Sequence, residues 1–111
     1  MRRVLLDECV PRRLLRELQG LDGLVASHVR DEGWTGQRNG DLLRLLTAAG
    51  FDLLVTVDRN LSYQHNVGRT EISVIVLHAP TNRLADLLPL VPELTAAIAG
   101  APTGRVTRIG A

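Results

Sequence analysis

Carboxylate side chains stand at three places where one predicted element of the chain gives way to the next. Asp7 and Glu8 follow a short apolar run, and Asp58 ends a longer one. Asp41 lies in the first turn of a predicted helix. Like charges held close together repel each other unless a cation lies between them. If the fold gathers these acids, their hard oxygen ligands predict a Mg²⁺ or Mn²⁺ site rather than a zinc site.

Such an ion predicts hydrolytic chemistry on a phosphodiester. A divalent ion held by a few carboxylates and several waters can activate a water and neutralise charge on a phosphate. Arg12 and Arg13 fall in the first turn of the helix predicted after Asp7. Arg59 is adjacent to Asp58. We therefore expect these three arginines to position phosphate groups beside the acids.

Apolar runs predict the strands that position the acids. The run from Phe51 to Asp58 is bounded by Gly50 and by Arg59-Asn60, which predicts a buried parallel strand with Asp58 at its C-terminal end. The other predicted strands cover residues 4–6, 24–29, 72–77 and, at an edge, 105–109.

Leucine spacing predicts the helices between these strands. Pro11 and a leucine stripe indicate a first helix that closes at Gly20, and a second stripe indicates a helix from about Asn39 to Gly50. The remaining segments are predicted as a loop over 31–36, a short helix or turn over 60–66, and a helical region over 84–98 broken by Pro89 and Pro92.

This order of elements predicts an α/β fold, with helices on both faces of a mostly parallel sheet in three α/β/α layers. In a parallel sheet every strand ends, and every following helix begins, at the same edge. We therefore expect Asp7, Glu8, Asp41 and Asp58 to surround one crevice. Taken alone, Asp41 is explained by capping of its helix, so the joint arrangement carries the functional interpretation.

Composition narrows the classes of protein. At 111 residues the chain is expected to be one domain, residues 1–111. Hydrophobic residues make up 45% and aromatic residues 3%, and an aliphatic core of this kind suits a sheet covered by helices. The net charge of +1 gives no bulk signal of nucleic-acid binding, so such binding must be local.

The cysteine count and the start of the chain bear on the compartment. A single cysteine, Cys9, excludes an internal disulfide and a Cys-rich zinc site, which fits a reducing cytosol. The apolar run after Met1-Arg2-Arg3 is broken by acids too early for a signal peptide or a membrane span. We expect a soluble, cytoplasmic protein with no membrane partner.

Short motifs spaced over nearly the whole chain carry a resemblance. They are Leu5-Leu6-Asp7-Glu8 with Pro11, Gly33-Trp34, Asn39-Gly40-Asp41-Leu42-Leu43, Thr56-Val57-Asp58-Arg59-Asn60-Leu61 and Gln64-His65-Asn66. In combination they resemble the short bacterial PIN-like proteins. These are relatives of the PIN-domain ribonucleases, and many are toxins of toxin–antitoxin pairs. The combination is specific, although each motif alone is weak.

The resemblance implies a PIN-like fold and a Mg²⁺- or Mn²⁺-dependent endoribonuclease that cleaves RNA. Asp7, Asp41 and Asp58 match the family's metal-binding acids, and Glu8 matches the acid beside the first. Many relatives carry a further acid shortly after the position of Asp58, where this chain has Asn60. Asn60 can still donate a ligand oxygen or bind a metal-bound water. The resemblance also implies an antitoxin encoded nearby and makes a homodimer plausible.

Two rival interpretations come from other classes of protein. A phosphoacceptor receiver domain also has acids after its first strand and an Asp after a central strand. That chemistry resembles a design with a Lys near the final strand, and this chain contains no Lys, which excludes it. The second rival is a non-catalytic PIN-like module that binds protein. Asn60 and the near-neutral charge favour that rival.

Overall fold

The computed structural model describes residues 2–58 and 71–110, and five strands of this part form one sheet in which every neighbouring pair is parallel. The strand order is β2-β1-β3-β4-β5. Leu6 pairs with His28 on one side and with Val55 on the other, so β1, β2 and β3 end side by side. The strands are β1 Arg2–Leu6, β2 Leu24–His28, β3 Leu53–Thr56, β4 Ser73–Leu77 and β5 Val106–Ile109.

Helices connect the strands. A 3-10 turn over Arg12–Leu14 leads into α1, and a second over Leu88–Leu90 joins α4 to α5. The α-helices are α1 Leu15–Leu18, α2 Val29–Glu32, α3 Asn39–Ala48, α4 Leu84–Leu87 and α5 Val91–Gly100.

The alternation of side chains along the strands divides the core into two layers. In β1, Val4 and Leu6 pack with α1, α4 and α5 on one face of the sheet. Leu5 points to the other face and packs with α3, through Leu42 and Leu46. Successive strand residues point to opposite faces, so an uninterrupted apolar run is what a sheet covered on both faces requires. The layers are therefore helix, sheet and helix.

The connections place a crevice at one edge of the sheet. From β1 the chain passes to β2 on one side, and from β3 it passes to β4 on the other. Two neighbouring parallel strands whose connections diverge leave a crevice outside their carboxyl ends, where ligands bind in open α/β sheets. Here the position expected for such a crevice is beyond Leu6 and Thr56.

The predicted α/β class and parallel sheet are confirmed, and two local predictions are wrong. Asp31 and Glu32 belong to α2 rather than to a loop, because His28 Nδ1 accepts a hydrogen bond from the Arg30 N–H and caps that helix. Gly33 then ends α2 with φ of 78°, a left-handed conformation that glycine adopts readily. Pro92 does not break a helix, since it lies in the first turn of α5.

Other boundaries shift by a few residues. The middle strand β3 ends at Thr56, two residues before Asp58. The helical region over 84–98 is interrupted by the 3-10 turn that contains Pro89. The polar segment 60–66 lies outside the described residues. Within residues 2–58 and 71–110, no helix is long and apolar enough to cross a membrane.

Candidate active site at the carboxyl edge

Asp7 is a buried carboxylate held by the strand ends around it. Its backbone N–H donates to Val55 O at 2.9 Å, which continues the pairing of β1 with β3 by one residue. The residue is 7% exposed. Its Oδ1 accepts from the Glu8 N–H at 2.8 Å, and its Oδ2 accepts from the Thr56 hydroxyl at 2.8 Å. These donors give each carboxylate oxygen a hydrogen-bond partner, which a buried polar group needs because burial without one costs stability.

Thr56 joins the ends of β1 and β3. It is fully buried at the last position of β3. Its hydroxyl donates to Asp7 Oδ2 and accepts the Asp58 backbone N–H at 3.0 Å. One hydroxyl therefore fixes the Asp7 carboxylate and the turn that leads to Asp58 at the same time. Because these partners come from neighbouring strands, the sheet register determines the arrangement.

Cys9 packs beside this hydroxyl. Its Sγ lies 3.6 Å from Thr56 Oγ1 and 3.8 Å from Asp7 Oδ2. Burial raises the pKa of the Cys9 thiol, and hydrogen bonding to Thr56 opposes that effect in part. The thiol is therefore held in its neutral form, as a small side chain that fills space next to the carboxylate.

Asp41 has a different environment. It lies in the first turn of α3, where a carboxylate is favoured by the helix dipole, and it forms an ion pair with Arg44 one turn further along. The two side chains are 45% and 78% exposed. Asp41 also lines a surface depression with Gln37 and Leu45 that does not include Asp7 or Asp58.

The fit of the described acids to a divalent ion follows from these positions. Among residues 2–58 and 71–110, no three His, Cys, Asp or Glu side chains form a group that could hold a metal ion. A three-carboxylate cage built from Asp7, Asp41 and Asp58 is therefore not assembled. Mg²⁺ is commonly held by only one or two protein carboxylates together with waters and substrate phosphates. That mode would use Asp7 together with Asp58, whose backbone N–H donates to the same Thr56 hydroxyl that donates to Asp7.

The other residues predicted for the site fall into three groups. Glu8 is exposed, and its Oε1 accepts from the Gly36 N–H at 3.2 Å, which ties the loop after α2 to the end of β1. Arg12 and Arg13 are exposed in the 3-10 turn before α1. Arg59 and Asn60 lie outside the described residues.

Arg12 forms an ion pair with Asp31, a partner that the sequence motifs do not indicate. Its Nη2 lies 2.8 Å from Asp31 Oδ1, and its Nε donates to both carboxylate oxygens. The hydrogen bond from Arg12 lowers the pKa of the Asp31 carboxyl. The pair orients Arg12 along the carboxyl edge and offsets part of its charge.

A small cavity lies beside Asp7 at the same edge. Residues 8–12, His28, Arg30 and Asn82 line it, and we call it the arginine-lined cavity. His28 is 2% exposed, and its Nε2 pairs with Val10 O at 2.7 Å. Asn82 donates from Nδ2 to Cys9 O at 3.1 Å, so the loop after β4 closes one side.

Thr56 and Asn82 are the residues that the site prediction missed. A signal for Thr56 was present, because a hydroxyl stands at the end of an apolar strand two residues before an acid. No spacing in the sequence identifies Asn82, which reaches Cys9 over a separation of 73 residues.

Comparisons with known proteins do not assign this geometry to a family. Scans against protein-family models, curated proteins and solved structures find no match to the chain. The crevice beyond β1 and β3 is therefore interpreted from its own residues and from the sequence motifs.

Proposed function

We propose that this chain is a PIN-like endoribonuclease dependent on Mg²⁺ or Mn²⁺, with its active site at the carboxyl ends of β1 and β3. One observation carries the proposal: the buried Thr56 hydroxyl connects the Asp7 carboxylate to the backbone of Asp58. It does so where the chain connections diverge, which is the expected position of a ligand crevice in this type of sheet.

The proposed roles follow from the partners of each side chain. Asp7 and Asp58 would hold the divalent ion, and Asp41 would join them only by leaving its ion pair with Arg44. When bound, the ion supplies an activated water and neutralises charge on the phosphodiester. Thr56 keeps one Asp7 oxygen in a fixed direction, while Glu8 anchors the neighbouring loop through Gly36. These contacts pre-organise the carboxylates before RNA arrives.

The remaining parts of the proposal rest on the sequence resemblance. Asn60 is proposed to support the ion or its waters, and Arg12, Arg13 and Arg59 to bind RNA phosphates. The biological role proposed is that of a toxin acting on cytoplasmic RNA. An antitoxin encoded next to it would bind this protein and cover the crevice.

The cleavage test is direct. Purified protein is incubated with mixed RNA and Mg²⁺ or Mn²⁺, beside Asp7→Asn and Asp58→Asn variants and a chelator control. Cleavage is expected only from the wild-type protein with metal. Cleavage by both the Asp7→Asn and the Asp58→Asn variant, or cleavage that a chelator does not reduce, would contradict the proposal.

The toxin role needs a separate experiment. Expression of the chain alone is expected to arrest growth, and co-expression with the neighbouring gene product is expected to restore growth and give a stable complex. Absence of both effects would remove the toxin assignment. It would leave the ribonuclease activity to be judged by the cleavage assay.

The alternative is a non-catalytic module of the same fold that binds protein. The Asp41–Arg44 ion pair favours it, because that pair occupies one of the predicted metal ligands. Such a module predicts no thermal stabilisation by Mn²⁺, whereas the nuclease predicts a stabilisation that Asp58→Asn weakens.

A further inference from the structure

The arginine-lined cavity begins one residue after Asp7, and two arginines, Arg12 and Arg30, are among the residues that line it. These arginines come from different elements, since Arg12 precedes α1 and Arg30 lies in α2. His28 fixes the backbone beneath Arg30 by accepting its N–H at Nδ1, at 3.0 Å. The fold therefore brings two cations together beside the crevice, although the net charge of the whole chain is only +1.

The two arginines differ in how free their donors are. Arg12 contacts Asp31 through its Nε and one terminal nitrogen. The Arg30 guanidinium makes no hydrogen bond or ion pair with another residue in the described ranges 2–58 and 71–110, and the residue is exposed. All five donors of the Arg30 guanidinium therefore remain for a ligand, although the charge of Arg30 also acts on Asp31, and Arg12 keeps a part of its own donors.

The size of the cavity limits the ligand. Its volume of about 280 Å³ lies just below the range of pockets that enclose whole small molecules, roughly 300–1,000 Å³. A compact anionic group suits it better, and guanidinium pairs match phosphate oxygens in charge and geometry. Glu8 also lines the cavity, and its negative charge opposes any anion there, so the two arginines must outweigh it; its Oε1 accepts from the Gly36 N–H at 3.2 Å.

We infer that the arginine-lined cavity binds a phosphate of the RNA strand next to the one cleaved, with Arg30 as the main contact and Arg12 as the second. The identity of the strand as RNA rests on the proposed function. A phosphate held there would set the position of the strand relative to Asp7 without reading its sequence.

The test is RNA binding with cleavage switched off. A fluorescein-labelled single-stranded RNA is titrated with protein in EDTA, and the anisotropy gives Kd at several salt concentrations. Arg30→Gln is expected to raise Kd about tenfold, as loss of one charge-assisted contact does. It should also lower the slope of log Kd against log salt by about 0.7, the value for one phosphate contact on a single strand.

Arg108→Gln is the matched control, because it removes the same charge from an exposed position on β5, at the opposite end of the sheet from β2. It should change Kd less than twofold, about the effect of losing a distant, screened charge. Thermal melting checks that both variants are folded. Equal losses from Arg30→Gln and Arg108→Gln, or no RNA binding by the wild-type protein, would overturn the inference.

Asp31→Asn gives a second readout. Without its carboxylate partner, Arg12 regains donors, so RNA should bind several-fold more tightly. Weaker binding would contradict the role of Arg12.

Poly-glutamate is the competing ligand, and Arg30-dependent binding of poly-glutamate tighter than that of RNA would assign the cavity to an acidic protein instead. The two proposals can be contradicted independently. RNA binding that depends on Arg30, without any cleavage, would contradict the nuclease proposal. Cleavage that depends on Asp7, without RNA binding that depends on Arg30, would contradict this phosphate site.

Discussion

The two acidic regions of this molecule, the end of β1 and the start of α3, are built in opposite ways. Asp7 is 7% exposed, and its hydroxyl partner Thr56 lies 49 residues away on a neighbouring strand. Asp41 is 45% exposed at its side chain, and its partner Arg44 lies three residues away on the same helix. The first arrangement exists only in the folded sheet, while the second can form in an isolated helical turn.

This difference shows what a parallel sheet fixes and what it leaves open. Register sets where β1 and β3 end, so residues at those ends meet whatever the loops do. The start of α3 follows a loop from Gly33 to Arg38, and that loop decides how far the helix lies from the strand ends. An acid there finds a local partner first.

Among substitutions in the two regions, Thr56→Val is expected to lower stability the most. The variant removes from a fully buried residue the hydroxyl that donates to Asp7 Oδ2 and accepts the Asp58 N–H. We expect a loss of about 2 kcal/mol in the free energy of unfolding, and a fall in Tm of roughly 10 °C for a domain of this size. Thr56→Ser keeps the hydroxyl and should lose less than half as much. A loss from Thr56→Ser larger than that from Thr56→Val would show that methyl packing, not the hydroxyl, matters.

Cys9 reports the burial of the same region. Because burial raises the pKa of its thiol, the reactive thiolate is scarce in the folded protein. Iodoacetamide should therefore label Cys9 several-fold more slowly in the folded chain at pH 8 than in the urea-unfolded chain. Labelling followed by mass spectrometry measures both rates. Equal rates would mean that the region around Asp7 is open.

A smaller effect is expected from Arg44→Gln at the start of α3. Exposed ion pairs contribute about 0–1 kcal/mol to stability, so Tm should move by no more than a few degrees. The same variant should bind Mn²⁺ more tightly if Asp41 is then free to act as a ligand. A Tm loss as large as that of Thr56→Val would erase the contrast between the two regions.

The smallest effect is expected at the Arg12–Asp31 pair, which is exposed although its partners are 19 residues apart. Because the pair is exposed yet joins distant residues, it tests whether burial or sequence separation makes a contact stabilising. Arg12 lowers the pKa of Asp31, so any stabilisation is present above the ordinary aspartate pKa of about 3.9 and is lost as the pH falls through the lower folded value. Thermal melting of Asp31→Asn should differ slightly from wild type at pH 7 and converge with it in acid. A large difference at pH 7 would show that separation alone is sufficient.

Sequence reasoning succeeded where structure follows from local pattern. The apolar runs identified β1, β3 and β4, because strands covered on both faces need apolar side chains at every position. It failed at Asp31 and Glu32, which lie in a helix capped by His28, because no apolar pattern in this segment predicts a helix. A side-chain cap depends on the rotamer of one residue, which composition does not determine.

The candidate site divides in the same way. That Asp7 and Asp58 lie at the same edge of the sheet could be deduced from parallel topology alone, whereas the adjacency of β1 and β3 could not. The partner of Asp41 could not, since either an ion or Arg44 satisfies a carboxylate on an exposed helix. The link through Thr56 depends on the register of β1 against β3, a quantity that the sequence does not contain directly.

The measurement that tests the central claim most directly is a Mn²⁺ titration followed by electron paramagnetic resonance, on the wild-type protein and its Asp7→Asn, Asp58→Asn and Asp41→Asn variants. We expect one site in the wild type, weakened about tenfold or more by loss of Asp7 or Asp58, since removing even an outer-sphere partner costs that much. Loss of Asp41 should weaken it less, because Arg44 competes for that carboxylate. Absence of Mn²⁺ binding in the wild type, or binding by Asp7→Asn and Asp58→Asn as tight as that of the wild type, would contradict a metal-dependent active site at the ends of β1 and β3.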